Sequence, residues 1–397
     1  MAIQKNILEE AFPETLRILS ELIKFQTVSG TSNIKLIEYC EKKLNLSGAT
    51  SFKTFDDSKL RVNLFSTISG KEKLNRSGII LSGHTDVVPA SAKEWSSNPY
   101  EATEKNNKIY GRGSCDMKGF IACTLALAPY FAKQILKKPI HFSYTYDEET
   151  ACQGAPIMLK EFKKRKIDCS VCIIGEPTSM KAIEAHKGCY EYSTHFTGLA
   201  GHGSAPAKGV NAIEYATRFI NKLMELREEL KKKIPKNSIF NPPYTTLQIG
   251  RIKGGLARNV IADQCVVDWE LRPVIPEDGV FVNKIMDNYV EDTLLPEMKK
   301  IYPESNIKKE VIGEIVGFNK EEKSEAVNLV CNLSGDNSRD VVSFGTEAGL
   351  FQELGISTVV CGPGSIEQAH KVDEYVSYDQ LKLCLKMIIN LKDQMSN

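Results

Sequence analysis

The sequence predicts a doubly wound, mostly parallel-sheet α/β domain with a ferredoxin-like β-α-β-β-α-β domain inserted in it. Two observations predict this. Apolar β-rich runs alternate with helical periodicity in the first and last parts of the chain, as in sheets covered by helices on both faces. Between them the order of signals changes to strand, helix, strand, strand, helix, strand, which is the split βαβ arrangement. The expected boundaries are 1–185 and 318–397 for the two parts of the α/β domain, and 186–317 for the insertion.

Taken in order, Asn6–Phe25 carries Ile7, Leu8, Leu16, Ile18, Leu19, Leu22 and Ile23 at near-helical spacing, and Lys35–Leu46 repeats the pattern. Arg61–Ser69, Gly78–Ser82, Ile140–Tyr146 and Ser170–Ile174 are β-rich, with a helix expected over Met117–Gln134. In the insertion, Cys189–Phe196, Tyr244–Ile252, Val260–Leu271 and Ile307–Val316 read as strands. Asn211–Lys233 and Val280–Ile301 read as its helices. The remainder returns to α/β: helix Glu325–Leu333, strand Val341–Phe344, helix Leu350–Leu354, strand Ser357–Cys361 and a closing helix from Tyr378.

Composition excludes several classes. The 397 residues are 42% hydrophobic and 25% charged, the balance of a soluble globular protein. Lys plus Arg number 51 against 50 for Asp plus Glu, so no global field attracts nucleic acid or an anionic membrane. Met1–Glu10 holds acids and bases without an apolar stretch, which is unlike a secretory signal. The uncharged segment Gly119–Ala132 falls short of the ~20 residues a membrane span needs. Eleven cysteines, an odd number without framework spacing, read as reduced thiols and a cytoplasmic location.

Residues suited to chemistry stand at the ends of the predicted strands. Gly83-His84-Thr85-Asp86 comes after Gly78–Ser82, and Asp116-Met117-Lys118-Gly119 opens the apolar helix. Asp147-Glu148-Glu149 comes after Ile140–Tyr146, Gly175-Glu176-Pro177 after Ser170–Ile174, and Gly362-Pro363-Gly364 leads from Ser357–Cys361 to His370. Ligands of open α/β sheets bind beyond the carboxyl ends of the strands. Two imidazoles and three carboxylates delivered to one sheet edge suit zinc or its divalent neighbours. They exceed what one tetrahedral catalytic zinc takes and fit two metals sharing a carboxylate. Each piece alone also has an ordinary reading: a lone histidine is often structural, and adjacent glutamates are often a solvated face. Asp86 could fix the tautomer of His84 or simply cap a turn.

These segments, with Gly111-Arg112-Gly113 and Gly201-His202, resemble the motifs of the zinc-dependent superfamily of acetylornithine deacetylases, succinyl-diaminopimelate desuccinylases, aminoacylases and glutamate carboxypeptidases. The resemblance runs from about residue 10 to 395. Ser343-Phe344-Gly345-Thr346-Glu347-Ala348 and Gly362–His370, with Asp373-Glu374-Tyr375 just beyond, are most similar to the acetylornithine deacetylase branch. Desuccinylases usually carry Thr-Ser-Asp where this chain has Thr346-Glu347-Ala348.

The resemblance implies that Asp116 bridges two metals, with His84 and Glu176 completing one site and Glu149 and His370 the other. Zinc is the expected metal, with cobalt or manganese as alternatives. It also implies that Glu148 is the general base and that a water activated at the metals attacks the acyl carbonyl. The proton then returns through Glu148 to the leaving amine. The insertion would be a lid and dimerisation domain, giving a homodimer. His202 would stabilise the oxyanion, unless it is a hinge or loop histidine. Asn259 and Arg272 match positions that hold the substrate's α-carboxylate. Arg258 is a nearby candidate with an ordinary surface reading, and Glu347 could pair with a cationic substrate side chain.

The implied reaction is hydrolysis of N2-acetyl-L-ornithine to L-ornithine and acetate in arginine biosynthesis. The alternative keeps the chemistry and changes the small-molecule substrate to another N-acyl amino acid, succinyl-diaminopimelate, a dipeptide or an N-formyl pyrimidine amine. A binding protein without catalysis would be expected to lack a ligand or the base, and all are present. The dinucleotide fingerprint is incomplete after Gly111-Arg112-Gly113, and no Walker A, G-x-S-x-G or His-Glu-x-x-His motif occurs. Cys169 and Cys172 form one C-x-x-C inside an apolar strand, which reads as core packing.

Overall fold

The computed structural model describes residues 2–70 and 78–396. The chain divides into two compact units, Met1–Ala185 with Asn319–Asp340 and Thr346–Asn397, and His186–Phe318 with Val341–Gly345.

The first unit begins with α1 (Ala2–Lys24) and α2 (Ile34–Leu46). Their apolar stripes, Ile18, Leu19, Leu22 and Ile23 on one and Leu36, Ile37, Cys40 and Leu44 on the other, are wholly buried, as their spacing predicts. Then come β1 (Thr50–Phe55), β2 (Val62–Ile68), β3 (Gly78–His84), β4 (Thr103–Lys105) and β5 (Lys108–Tyr110). The run continues with α3 (Lys118–Ala132), β6 (Ile140–Thr145), α4 (Gly154–Arg165), β7 (Cys169–Pro177) and β8 (Ala182–His186). Every residue of β3 and β6 is buried, the pattern of strands covered on both faces. Helix α3 is apolar nearly all round and accordingly lies in the core. The segment 163–166 ends α4, and Cys169 and Cys172 are buried in β7.

The second unit contains β9 (Cys189–Thr197), α5 (Ala212–Leu230), β10 (Thr246–Gly254), β11 (Gln264–Arg272), α6 (Pro276–Tyr289), α7 (Leu295–Ile301) and β12 (Asn306–Ile315). Its sheet has the order β10-β11-β9-β12 with every pairing antiparallel, which is the ferredoxin-like topology. Cys265, Val267, Trp269 and Leu271 alternate into a core shared with Phe219 and Leu223 of α5 and Val282 and Met286 of α6. The helix expected over Val280–Ile301 is interrupted by a π-turn at Val290–Leu294. Pro296, in the first turn of α7, lacks the N–H that a continuous α-helix would use there.

The chain returns to the first unit through α8 (Glu325–Ser334), β13 (Arg339–Val342), α9 (Ala348–Gln352), β14 (Ser357–Gly362), β15 (Tyr375–Ser377) and α10 (Tyr378–Ser396). The large sheet has the order β1-β2-β6-β3-β7-β14-β8-β13. Strands β6, β3, β7 and β14 pair in parallel, while β2 is antiparallel to both of its neighbours and β8 antiparallel to β14. The mostly parallel sheet expected from the sequence is therefore present, with antiparallel strands toward its margins. Because the four central strands share one direction, their carboxyl ends meet at a common edge. All eleven cysteines are buried and none forms a disulfide. Among the described residues no helix is long and apolar enough to cross a membrane.

Candidate metal centre

His84 is the last residue of β3 and is almost fully buried. Its Nδ1 lies 3.0 Å from the Asp86 carbonyl oxygen, an atom that can only accept, so Nδ1 carries a proton. That directs Nε2 at the carboxylates: 2.9 Å from Asp116 Oδ1 and 3.7 Å from Glu176 Oε1. Asp116 divides its two oxygens. Oδ2 lies 3.4 Å from Nε2 of His370, which is itself 2.9 Å from Glu149. His370 is half-exposed and sits in the left-handed backbone region.

The Asp86 side chain does more than accompany His84. Its oxygens accept the N–H groups of Glu148 (3.0 Å) and Glu149 (3.3 Å) and the Ser29 hydroxyl (2.7 Å). The Asp86 side chain thus fixes the turn after β6, while its backbone carbonyl oxygen fixes the imidazole at the end of β3. Glu148 is buried beside the cluster, with the Cys152 thiol 3.6 Å from its Oε1.

Ligand atoms of His84, Asp116 and Glu149 lie within 4.8 Å of one another, and so do those of His84, Glu148 and Glu176. Imidazole nitrogen and carboxylate oxygen are the donor set of divalent zinc, cobalt and manganese sites, so the residues fit such ions. The second grouping contains Glu148 itself, so position alone does not separate a base from a ligand at that residue.

The electrostatics agree with a site built to receive positive charge. Burial opposes charge on His84, yet Glu176, Asp116 and Asp86 hold its imidazole well above the ordinary value. Burial and then the Asp116 charge raise Glu149 to about 6 and push Glu176 well up. Burial, with Glu149, Glu347 and Asp116 nearby, also pushes Glu148 well up. Asp116 goes the other way: burial would raise it, but the two histidines outweigh that and lower it. Hydrogen bonds to Asp116 and Glu149 lift His370 to about 10.

Glu347 is 1% exposed, and its Oε1 has no hydrogen-bond partner among the described residues. Burial raises it to about 7. The remaining sequence candidates belong to the second unit. His202 is exposed, with Nδ1 2.7 Å from the Ser204 hydroxyl, and the neighbouring Gly203 N–H donates to the Asn259 carbonyl at 2.8 Å. Arg258 is exposed, whereas Arg272 is partly buried and paired with Glu270 at 2.9 Å. The structure therefore gathers His84, Asp86, Asp116, Glu148, Glu149, Glu176 and His370 in the first unit, and places His202 beside Asn259 in the second. Sequence reasoning missed Glu374, which binds the backbone that carries Asp116. Its only signal was its place in the Asp373-Glu374-Tyr375 motif.

Comparison with known proteins gives three concordant findings. The family model described as peptidase family M20/M25/M40 matches residues 80–392. An acetylornithine deacetylase of Pasteurella multocida is 36% identical over 372 residues, covering 92% of this chain and 94% of that protein. One from Salmonella typhimurium is 39% identical over 311 residues, 78% of each chain. Among solved structures, a tripeptidase from Staphylococcus aureus has a TM-score of 0.71 at 20% identity, over 97% of this chain and 98% of that one. An M20 family metallo-carboxypeptidase from Sulfolobus solfataricus has a TM-score of 0.74 at 17% identity, over 96% and 98%. These structures share the fold.

Proposed function

The chain belongs to peptidase family M20/M25/M40 as a metallo-hydrolase, and on that premise we propose that it hydrolyses N2-acetyl-L-ornithine to L-ornithine and acetate. The observation that supports this best is the convergence of His84, Asp116, Glu149, Glu176 and His370 at one sheet edge with Glu148 buried beside them. The Pasteurella and Salmonella relatives are acetylornithine deacetylases, which favours this substrate over other acyl amino acids.

In this reading His84, Asp116 and Glu176 would hold one divalent ion, and Asp116, Glu149 and His370 a second. Zinc is the metal proposed, with cobalt or manganese able to replace it. When bound, such ions lower the pKa of a water from ~16 toward ~7 and polarise a carbonyl. The protein's own part is proton traffic and orientation. Glu148 takes the proton of the attacking water and delivers it to the departing α-amine. Asp86 keeps the Nδ1 proton of His84 in place and holds the Glu148 and Glu149 backbone.

By the family resemblance, His202 of a partner copy would stabilise the oxyanion, and Asn259 and Arg272, with Arg258 as a further candidate, would bind the α-carboxylate. Glu347 would receive the substrate's ammonium end only if that group reaches into the interior, since its carboxyl is enclosed. The chain would work in arginine biosynthesis in the cytoplasm, as a homodimer formed through the inserted unit.

The test is ornithine release from N-acetyl-L-ornithine by purified protein, with chelator-stripped and zinc- or cobalt-restored samples in parallel. N-succinyl-diaminopimelate and N-acetyl-methionine are run beside it. Metal-dependent release with preference for acetylornithine is expected. Activity confined to another acyl compound would overturn the substrate and keep the chemistry.

A further inference from the structure

Glu374 is completely buried and takes no part in the chemistry above, yet it is tied throughout to the loop that delivers Asp116. Its Oε1 accepts the N–H groups of Cys115 (2.8 Å) and Asp116 (3.0 Å). Its Oε2 accepts the N–H of Gly113 (3.0 Å) and Nη1 of Arg112 (2.8 Å). Its backbone carbonyl receives the Gly111 N–H at 3.0 Å and the Ser114 hydroxyl at 3.3 Å. The guanidinium of Arg112 is held in turn over the Trp95 ring, 5.1 Å from its centroid. Next to Glu374, Asp373 accepts the backbone N–H and the hydroxyl of Ser96 at 2.9 and 2.7 Å.

The loop needs an external hold. Gly113 has φ near +80°, and a Cβ there would come within 2.6 Å of Val87, so this position cannot carry a side chain to anchor itself. Asp116, three residues on, must present one oxygen toward His84 and the other toward His370. The segment that supplies His370 also supplies Glu374, one helical turn's worth of chain later. A single stretch of backbone therefore sets one imidazole and, through Glu374, the carboxylate it shares with the other.

The geometry points to Glu374, locked by Arg112, as a positioning residue that fixes the orientation of Asp116 and so the spacing of the two metal positions. This rests on the reading of Asp116 as a bridging ligand. In Glu374→Gln, one amide group replaces an oxygen that meets only donors at Oε2 or at Oε1, so two of the four side-chain bonds are lost and a donor faces donors.

The experiment titrates metal-stripped protein with zinc and with cobalt by calorimetry and records the visible spectrum of the cobalt form. For Glu374→Gln we expect one of the two metal equivalents to bind about 10- to 100-fold more weakly. The cobalt spectrum should change, and kcat should fall more than KM rises. Arg112→Met, which removes one of the four side-chain bonds to Glu374 and keeps its carboxylate, should move all three readouts the same way by less, and it decides the matter if Glu374→Gln does not fold. Wild-type affinity for both equivalents with an unaltered cobalt spectrum in the folded variant would overturn the proposal. If the unaltered protein binds two metals but ignores acetylornithine, the substrate fails and this inference stands. If it binds only one, the bridging role of Asp116 fails and this inference falls with it.

Discussion

The two units handle charge in opposite ways. At the carboxyl edge of the large sheet, Asp86, Asp116, Glu148, Glu176 and Glu347 are all buried, with His84 buried among them. In the ferredoxin-like unit the core is Phe196, Phe219, Trp269, Met286 and their neighbours. Lys187 and Asp278 are buried there singly, against the Tyr244 carbonyl and the Thr245 hydroxyl, and pairs of charges such as Lys309 with Asp287 and His195 with Glu310 meet where they are partly exposed. Burying like charges together costs several kcal/mol per ion unless something compensates. The second pattern is what folding alone selects. The first is paid for by a task, and it marks the region where substitutions change chemistry before they change stability.

The largest test of that contrast is Glu148. Glu148→Ala removes the proposed proton carrier while leaving His84, Asp116, Glu149, Glu176 and His370 in place. Turnover should fall by about 10²- to 10⁴-fold, with metal content, measured by elemental analysis, unchanged. Near-normal turnover would remove Glu148 from the reaction. Loss of metal in step with activity would instead make it a ligand, as its grouping with His84 and Glu176 allows.

The same contrast explains which features were legible in the sequence. The ligand set could be read because His84, Glu149 and Glu176 stand at or just after apolar strands, His370 lies in the loop beyond another, and Asp116 opens the apolar helix; parallel strands bring their ends to one edge whatever their order. The inserted unit could be read because β11 alternates strictly, Cys265, Val267, Trp269 and Leu271 facing the core. Strand β1, Thr-Ser-Phe-Lys-Thr-Phe, lay hidden because it is at the sheet margin with no buried position, so it needs no apolar run. The strand expected from Val260 begins at Gln264, because Val260 instead bridges to His202 in the preceding loop. Glu374 and Asp116 are 258 residues apart, and a side chain that binds backbone N–H groups leaves no mark on the sequence it binds. Contacts of that kind emerge only from the fold.

An intermediate effect is expected at the other end of β6. His141 lies at the start of the strand whose far end leads to Glu148, and it is buried with Nδ1 2.9 Å from the Thr67 hydroxyl. Burial lowers it to about 4. The unfolded chain binds a proton near pH 6.5, and the folded chain does so only near 4. Stability is therefore unaffected by this group above about 6.5 and falls as pH drops from about 6.5 to 4, by about 3 kcal/mol in all. In His141→Asn, which can keep a bond to Thr67, the decline in melting temperature between about pH 7 and 4.5 should be shallower than in the parent. Turnover at neutral pH should be preserved. An unchanged pH slope would show that this end of the sheet admits the proton, and large loss of turnover would extend the functional region along the strand.

The smallest effect belongs to the second unit's surface. Arg218 on α5 makes a two-pronged pair with Glu297 on α7, both side chains about two-fifths exposed. Water solvates the two charges almost as well apart as together, and ordering two long side chains opposes the contact. A double-mutant cycle of Arg218→Ala and Glu297→Ala should give a coupling of about 0.2–1 kcal/mol from melting curves, reduced further by screening in roughly 0.5 M salt. Neither change should alter metal content. A coupling above about 2 kcal/mol that persisted in salt would mean that this pair is dry and structurally committed. The ferredoxin-like unit would then also rely on an enclosed ion pair, and the division between a sheet edge built for chemistry and a unit built by packing would no longer hold.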